Sequence, residues 1–484
     1  MRYHWWKYLL FAGWIFFVGW LLKNEYGSAE EVRPLDVQLF NEQSQTSENT
    51  AWYTIYLGDQ KIGWNMHIAS PRGDGYSIYD RTVLRVPVAG TLQNIDYEQS
   101  VNTDSNYVLQ QFVMQLSASA MNTRIEGRKQ RGGVNLTITS GGNTQKQFIP
   151  MEEDVRLPVT LAKMLPVNDI SPGDKFSFPV FDPSTLSMGK AILEAHDWET
   201  ISVGNSEVEA LHVTTTFQEL SSDFWVNHNG EVVKEKSLMN LTMVRSSSDD
   251  AQRFNPKDSN TDLYQYFAVI PDQPIKHPRK QKLLKLQLHN SDLPVSSLDN
   301  HRQIATPGKD GPRLQIRTRG QNREAPPSPK ELQSTPLIQC TDSAIVAASN
   351  KIVHSSMPDS EKVRTLVQWV YSIVKKQPSV GLPSAVEVLQ HRTGDCNEHT
   401  VLFVALARAA GIPAKMRAGL VYVQNGFYYH AWAAAYVNNH WIDVDPTFGQ
   451  YAPDATHIAL AEGELFDLMT IGRIVGRLEI TLLN

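Results

Sequence analysis

The sequence predicts an α+β protein in which a large antiparallel β region precedes a smaller region of helices and strands. Three observations carry that expectation. Runs of alternating, β-rich sequence separated by turn residues fill residues 51–250 almost without helical spacing. Helical periodicity begins at residue 341, and more strand-like segments follow it. A single stretch near the start, Trp5 to Leu22, is apolar enough to enter a bilayer.

At 484 residues the chain is longer than one ordinary core, so several domains are expected. With 41% hydrophobic and 20% charged residues it is a folding sequence, not a disordered one. The net charge of -6 argues against a general nucleic-acid binder. Two cysteines, Cys340 and Cys396, exclude a disulfide scaffold and any four-cysteine metal site.

Residues 1–25 read as a membrane segment. Arg2, His4 and Lys7 precede an uncharged run that Lys23 closes, and Trp5, Trp6, Trp14 and Trp20 give it an aromatic character. As a helix, Trp5 to Leu22 would extend ~27 Å, enough to span the hydrocarbon. The cationic leading side predicts a cytoplasmic N-terminus and an extracytoplasmic (periplasmic) body held by an N-terminal membrane helix. Cleavage as a signal peptide at Gly27-Ser28-Ala29 is the competing reading, and it would give a secreted protein. Residues 26–50 are polar, acidic and aperiodic, and read as a tether.

Residues 51–270 read as an antiparallel β-rich domain, a large curved sheet or open barrel. Ala51–Leu57 and Ile62–Ser70 flank a turn at Gly58, further β-rich runs continue to Phe217, and His228-Asn229-Gly230 is a hairpin turn. One short helix is expected at Val159–Met164. Residues 271–330 read as a small basic β module and a Pro-rich linker. Between 276 and 330, twelve Lys and Arg face four acids, and Leu283–Leu288 and Leu314–Thr318 alternate like strands with solvated basic residues. Ala325-Pro326-Pro327-Ser328-Pro329 is stiff enough to separate this module from the last domain, 331–484.

In that last domain, helices are expected at Ser343–Val353, Glu361–Lys376 and Ser384–Gln390. Val363, Leu366, Val367 and Val370 form an apolar core stripe on the second. A further helix, Cys396–Ala410, is stopped by Gly411 and Pro413. Strands follow at Lys415–Val423, Phe427–Val437 and Trp441–Val444. This order puts Cys396 in the first turn of a helix, where free N–H groups and the helix dipole favour a thiolate. His430 lies mid-strand and Asp445 ends the next strand, so adjacent antiparallel strands can set them side by side. A histidine that takes the thiol proton, a carboxylate that fixes its tautomer and a thiolate that attacks a carbonyl carbon make a Cys-His-Asp catalytic triad. The backbone N–H of Cys396 is the first candidate oxyanion donor. Asp443 is the rival of Asp445; alternation along the strand and the Pro446-Thr447 that follows favour Asp445. His399 reads as a hydrogen-bonded structural residue and Cys340 as an inert thiol.

Gly394-Asp395-Cys396-Asn397-Glu398-His399-Thr400, with Ala405 to Ala414 after it, resembles the nucleophile helix of the transglutaminase-like superfamily. Tyr429-His430-Ala431-Trp432 and Trp441-Ile442-Asp443-Val444-Asp445-Pro446-Thr447 resemble its histidine and aspartate motifs. The resemblance spans roughly residues 335–484. It implies a papain-like α+β fold with Cys396, His430 and Asp445 as catalytic triad, and no cofactor. The upstream β region is similar to what accompanies this domain in bacterial envelope proteins. Two departures bear on the reaction: Asn397 stands where crosslinking members commonly carry tryptophan, and Ala433-Ala434-Ala435 stand where many bacterial members have a carboxylate. The expected function is therefore a membrane-anchored thiol hydrolase, a cysteine protease or amidase, acting on a protein or peptide substrate. Acyl transfer to an amine is the second form of the same chemistry. The alternative is a non-enzymatic envelope-binding or lipoprotein-carrier-like protein with a degenerate transglutaminase-like fold. Expected partners are the substrate, the membrane through the N-terminal helix, and an envelope partner through the β domain, with no nucleic acid.

Overall fold

The computed structural model describes residues 49–483, without 89, 119–120, 141–142, 168, 205, 219, 255–261, 322–323, 379–383, 464–467 and 469. The N-terminal apolar run and most of the tether lie outside the described residues. Among those described, no helix is long and apolar enough to cross a membrane.

One antiparallel sheet builds the first half. Its strands are β1 (Asn49–Leu57), β2 (Gln60–Arg72), β3 (Gly75–Val88), β4 (Thr91–Asp104), β5 (Leu109–Ala118), β6 (Met121–Gln130), β7 (Gly133–Ser140), β8 (Asn143–Pro150), β9 (Lys175–Asp182), β10 (Ser187–Val203), β11 (Ser206–Phe217), β12 (Leu220–Asn227), β13 (Val232–Lys236) and β14 (Leu241–Ser246). The order β8-β7-β6-β5-β4-β3-β2-β1-β14-β13-β12-β11-β10-β9 is two meanders joined where β1 pairs with β14, from Trp52 opposite Ser246 to Leu57 opposite Leu241. So wide a sheet cannot stay flat, because each strand pair adds twist. It rolls until Phe112 of β5 meets Phe181 of β9, ring centres 5.9 Å apart. Ile78, Phe112, Met114, Leu193, Leu211 and Val213 fill the enclosed core. A large curved sheet is what the sequence predicts. The short helix expected at Val159–Met164 is a 3-10 turn, Pro158–Met164.

Strands β15 (Leu283–His289), β16 (Gln303–Thr306) and β17 (Arg313–Arg317) form a second sheet. A third holds β18 (Ala414–Val423), β19 (Gly426–Val437), β20 (His440–Asp445), β21 (Gln450–Tyr451) and β22 (His457–Gly463), in the order β21-β20-β19-β18-β22. Helices Ser343–Ile352, Asp359–Ile373, Ala385–His391 and Cys396–Ala409 precede this sheet. One face packs on these helices through Val363, Leu366, Val370, Phe403, Ala433 and Ala435. The other packs on the second sheet through Leu286, Leu314, Ile316, Leu420 and Ile458.

Residues 271–330 are therefore not a module apart from the last domain. Their sheet takes its fourth strand, β23 (Glu479–Leu483), from the C-terminus, with Leu286 opposite Leu482. Nor are all their basic residues solvated. Arg302 is 4% exposed and binds Asp443 at 3.1 Å and the carbonyls of Pro453 and Asp454 at 2.7 and 2.8 Å. The second arginine on Asp443 is Arg417 (3.1 Å), which is itself clamped by Glu324 at 2.6 and 2.8 Å. Burial alone would raise the Asp443 carboxyl; Arg417, His301 and Arg302 instead hold it at about 2.

Removing one member of such a buried set strands the others. Arg302→Met is expected to cost about 3–5 kcal/mol in denaturant unfolding. Because Asp443 is depressed in the folded state, its contribution is present above the unfolded value of about 4 and is lost as pH falls through about 2. Unfolding titrations between pH 6 and 2 should show wild type losing stability faster than Arg302→Met.

Candidate active site

Asp395 starts the Cys396 helix. Its side chain accepts the Asn397 N–H at 2.9 Å while the Glu398 carboxylate accepts the Asp395 N–H at 2.7 Å, a reciprocal capping box. Gly394, at φ +153°, is required here because a Cβ would lie 2.3 Å from Cγ of Glu398. The cap fixes Cys396 as the first residue of the helix, as the sequence predicts.

His430 lies on β19 and Asp445 at the end of β20. Their strands pair with Ala434 opposite Asp443, so His430 reaches Asp445 diagonally, Nε2 to Oδ2 at 2.9 Å. Asp443 and Asp445 share one sheet face, so alternation does not separate them. Their place along the strand does: Asp443 meets Trp432 Nε1 at 3.1 Å and the two arginines, whereas Asp445 meets His430. Asp445 is fully buried and accepts three further hydrogen bonds: the N–H groups of Thr447 (2.8 Å) and Phe448 (3.0 Å), and Nε2 of His457 (3.0 Å). Burial would raise its pKa, but His430 and His457 beside it hold the carboxyl far below the usual carboxylate range. An ionised carboxylate only accepts, so both Nε2 atoms carry hydrogen. The Nδ1 of a neutral His430 is then a free base.

His457, on β22, is absent from the sequence expectations. Its other nitrogen, Nδ1, faces the carbonyl oxygen of Asp454 at 3.3 Å and its carboxylate at 3.7 Å. Acceptors on both sides favour the charged form of the ring; burial opposes this, and Asp445 and Asp454 outweigh it, raising the pKa. The only signal in sequence is a histidine opening a buried, apolar strand.

Cys396 is 9% exposed, and the Ala431 backbone N–H, one residue past His430, lies close enough to its sulfur to favour the thiolate. The expectation of a thiolate stabilised by the helix start does not hold in this state. Burial raises the thiol well above its ordinary value, and Asp395, Glu398 and Asp445 outweigh the Ala431 N–H. Part of the cover comes from outside the last domain. Tyr264, in the one-turn helix Leu263–Tyr266, packs 6.3 Å from the Tyr428 ring. Burial, then the charges of Cys396, Asp395 and Glu398, push its hydroxyl up. Leu263, Tyr266 and Phe267 beside it pack on the β-domain residues Leu57, Ile62 and Val86, so the connector joins the β domain to the mouth of the site.

His399 is fully buried, with Nδ1 on the Asp395 carbonyl at 2.6 Å, away from the triad. Cys340 is buried separately, its sulfur 3.6 Å from the Leu332 carbonyl, and both cysteines are free thiols. His430, Asp445 and His457 offer ligand atoms within 4.8 Å of one another, a spacing that a metal ion would accept. Those atoms already satisfy each other, because the two Nε2–H groups share Oδ2 of Asp445.

Two outcomes follow for the isolated chain. Iodoacetamide labelling of Cys396, read by peptide mapping, should be slow at pH 6 and still rising at pH 9, and Tyr264→Ala should speed it several-fold at pH 8. His457 should stabilise the fold fully below about pH 6.5 and lose that contribution as pH rises through its raised folded value. Unfolding free energies from pH 6 to 10 should therefore fall more steeply in wild type than in His457→Gln.

Residues 346–446 match the family described as the transglutaminase-like superfamily. Among solved structures the chain is similar to a candidate cysteine protease from Cytophaga hutchinsonii, at 17% identity over 42% of this chain and 86% of that one (TM-score 0.27). It is similar to the periplasmic domain of TgpA from Pseudomonas aeruginosa at 15% identity, covering 35% and 90% (TM-score 0.23). A β-barrel-like protein of unknown function from Brucella abortus is similar at 12% identity, covering 41% and 95% (TM-score 0.32). No curated protein sequence matches. The capped cysteine helix and the paired histidine and aspartate strands all fall inside residues 346–446, the segment that matches the transglutaminase-like superfamily.

Proposed function

We propose that this chain is a thiol enzyme that cleaves peptide or amide bonds, with Cys396 as nucleophile, His430 as general base and acid, and Asp445 as the group that orients and charges-compensates His430. The observation that carries the reading is the Asp445 carboxylate bonded to Nε2 of His430 at 2.9 Å, while the Ala431 N–H next door lies close to the Cys396 sulfur. With Nε2 protonated, Nδ1 of His430 is the atom that takes the thiol proton. The thiolate sulfur then bonds to the substrate carbonyl carbon, and His430 returns the proton to the departing amine, leaving a thioester on Cys396. Water, deprotonated by His430, attacks the thioester and releases the carboxylic acid and the free thiol. A lysine amine in place of water would give an isopeptide bond; Asn397 and the run Ala433-Ala434-Ala435 favour water.

A neutral, covered resting thiol fits an enzyme that becomes active when substrate displaces cover from the site, since proton transfer to His430 then accompanies attack. The same burial is the observation that favours the second reading, a binding protein on a degenerate fold. The membrane anchor and extracytoplasmic location belong to the proposal on the strength of the Trp5–Leu22 run.

Incubating the full chain with casein and with a peptide library, and reading new termini by mass spectrometry, tests this. Wild type should generate termini, Cys396→Ala none, and Asp445→Asn at least about 100-fold fewer, in line with the loss of an orienting carboxylate in a triad. Equal product from wild type and Cys396→Ala would overturn the enzyme reading. Crosslinked casein without new termini would instead assign the amine as acceptor.

A further inference from the structure

The rolled β domain encloses a cavity of about 270 Å³ under the 3-10 turn Pro158–Met164, between β1, β2, β3 and β11 to β14. A lipid carrier would require apolar walls, but charged side chains point into this space. His67 pairs with Asp80, Nδ1 to Oδ2 at 3.1 Å; a neutral ring that donates through Nδ1 has Nε2 as its acceptor. That Nε2 is buried without a partner, and His67 is 9% exposed. Lys163 and Glu235, both half-buried, line the same cavity, and neither side chain forms an ion pair or hydrogen bond with another described residue at contact distance. Burial lowers the Lys163 pKa against the pull of Glu231, and burial, with Asp80 nearby, raises Glu235 to about 7. The remaining charges are matched: Arg245 lies 3.6 Å from Glu231 and over the Tyr53 ring, and Tyr53 donates to the Val232 carbonyl at 3.0 Å.

Unpaired polar groups inside a fold are costly unless something satisfies them. Here the buried orphan is Nε2 of His67, and a half-buried cation, Lys163, and a half-buried carboxyl, Glu235, line the same space. The complement is a molecule with a carboxylate at one end, an ammonium at the other and an N–H donor between. Leu161, Phe224 and Met243 add an apolar wall for a side chain. We propose that this cavity is a second ligand site, for a zwitterion of about dipeptide size: its carboxylate meets Lys163, its ammonium Glu235, and its amide N–H the Nε2 of His67. The site is separate from Cys396 and does not depend on the catalytic reading.

Calorimetry on the full chain in detergent, carrying Cys396→Ala so that the probe is not consumed, tests it with alanyl-leucine. Saturable one-to-one binding is expected, weakened at least tenfold by Lys163→Met, by Glu235→Gln, and by blocking both termini of the dipeptide. Circular dichroism melting curves verify that the variants fold. Should a variant fail to fold, the free and blocked dipeptides compared on the Cys396→Ala chain decide alone. No saturable heat at millimolar dipeptide would overturn the proposal. Equal affinity for the blocked form, or binding unchanged in both folded variants, would overturn it as well.

Discussion

A carboxylate removed from water has to be surrounded by donors, and the site of this protein is organised by that requirement at Asp445. Two imidazoles and two backbone N–H groups supply its four hydrogen bonds. Satisfying one side chain therefore fixes the His430 tautomer, places β22 against β18, and shapes the turn after β20. His430 is further confined between aromatic neighbours, with Phe448 stacked 5.1 Å away and Trp432 at 6.2 Å. Little freedom is left to its ring, as the proposed role of a positioned base requires.

Two residues earlier on β20, Asp443 solves the same problem differently. It meets two arginines as well as His301, and through Arg302 it fastens the second sheet to the third. Buried ion pairs of this kind are weak sources of net stability but strong sources of registration, because any slipped arrangement strands a charge. One short strand thus carries a carboxylate bonded to two histidines and a carboxylate that ties two sheets together, on the same face.

The cysteine end is governed from farther away. Its helix cap is local, but its cover includes Tyr264, held by the connector that packs on the β domain. The β domain and the thiol are thereby mechanically linked, and Ser140 Oγ on Glu387 at 2.6 Å adds a second tie between the two regions.

The sequence by itself determined most of the elements and marked Cys396, His430 and Asp445 as candidates. The Asp395–Glu398 cap, the Gly411 stop, the alternating strands and the order Cys396, His430, Asp445 are local signals, written within a few residues of where they act. Strands β4, β6 and β8 were less legible, because Asn, Gln, Thr and Arg give them weak β preference and only pairing with neighbours holds them. Tertiary structure alone decided what depends on long-range contact. It placed His457 on Asp445, turned Arg302 inward, joined residues 283–317 to the C-terminal strand, and raised the Cys396 thiol by burying it. Charge and desolvation are set by which side chains converge in space, and sequence spacing reports convergence only within a helix turn or a strand pair.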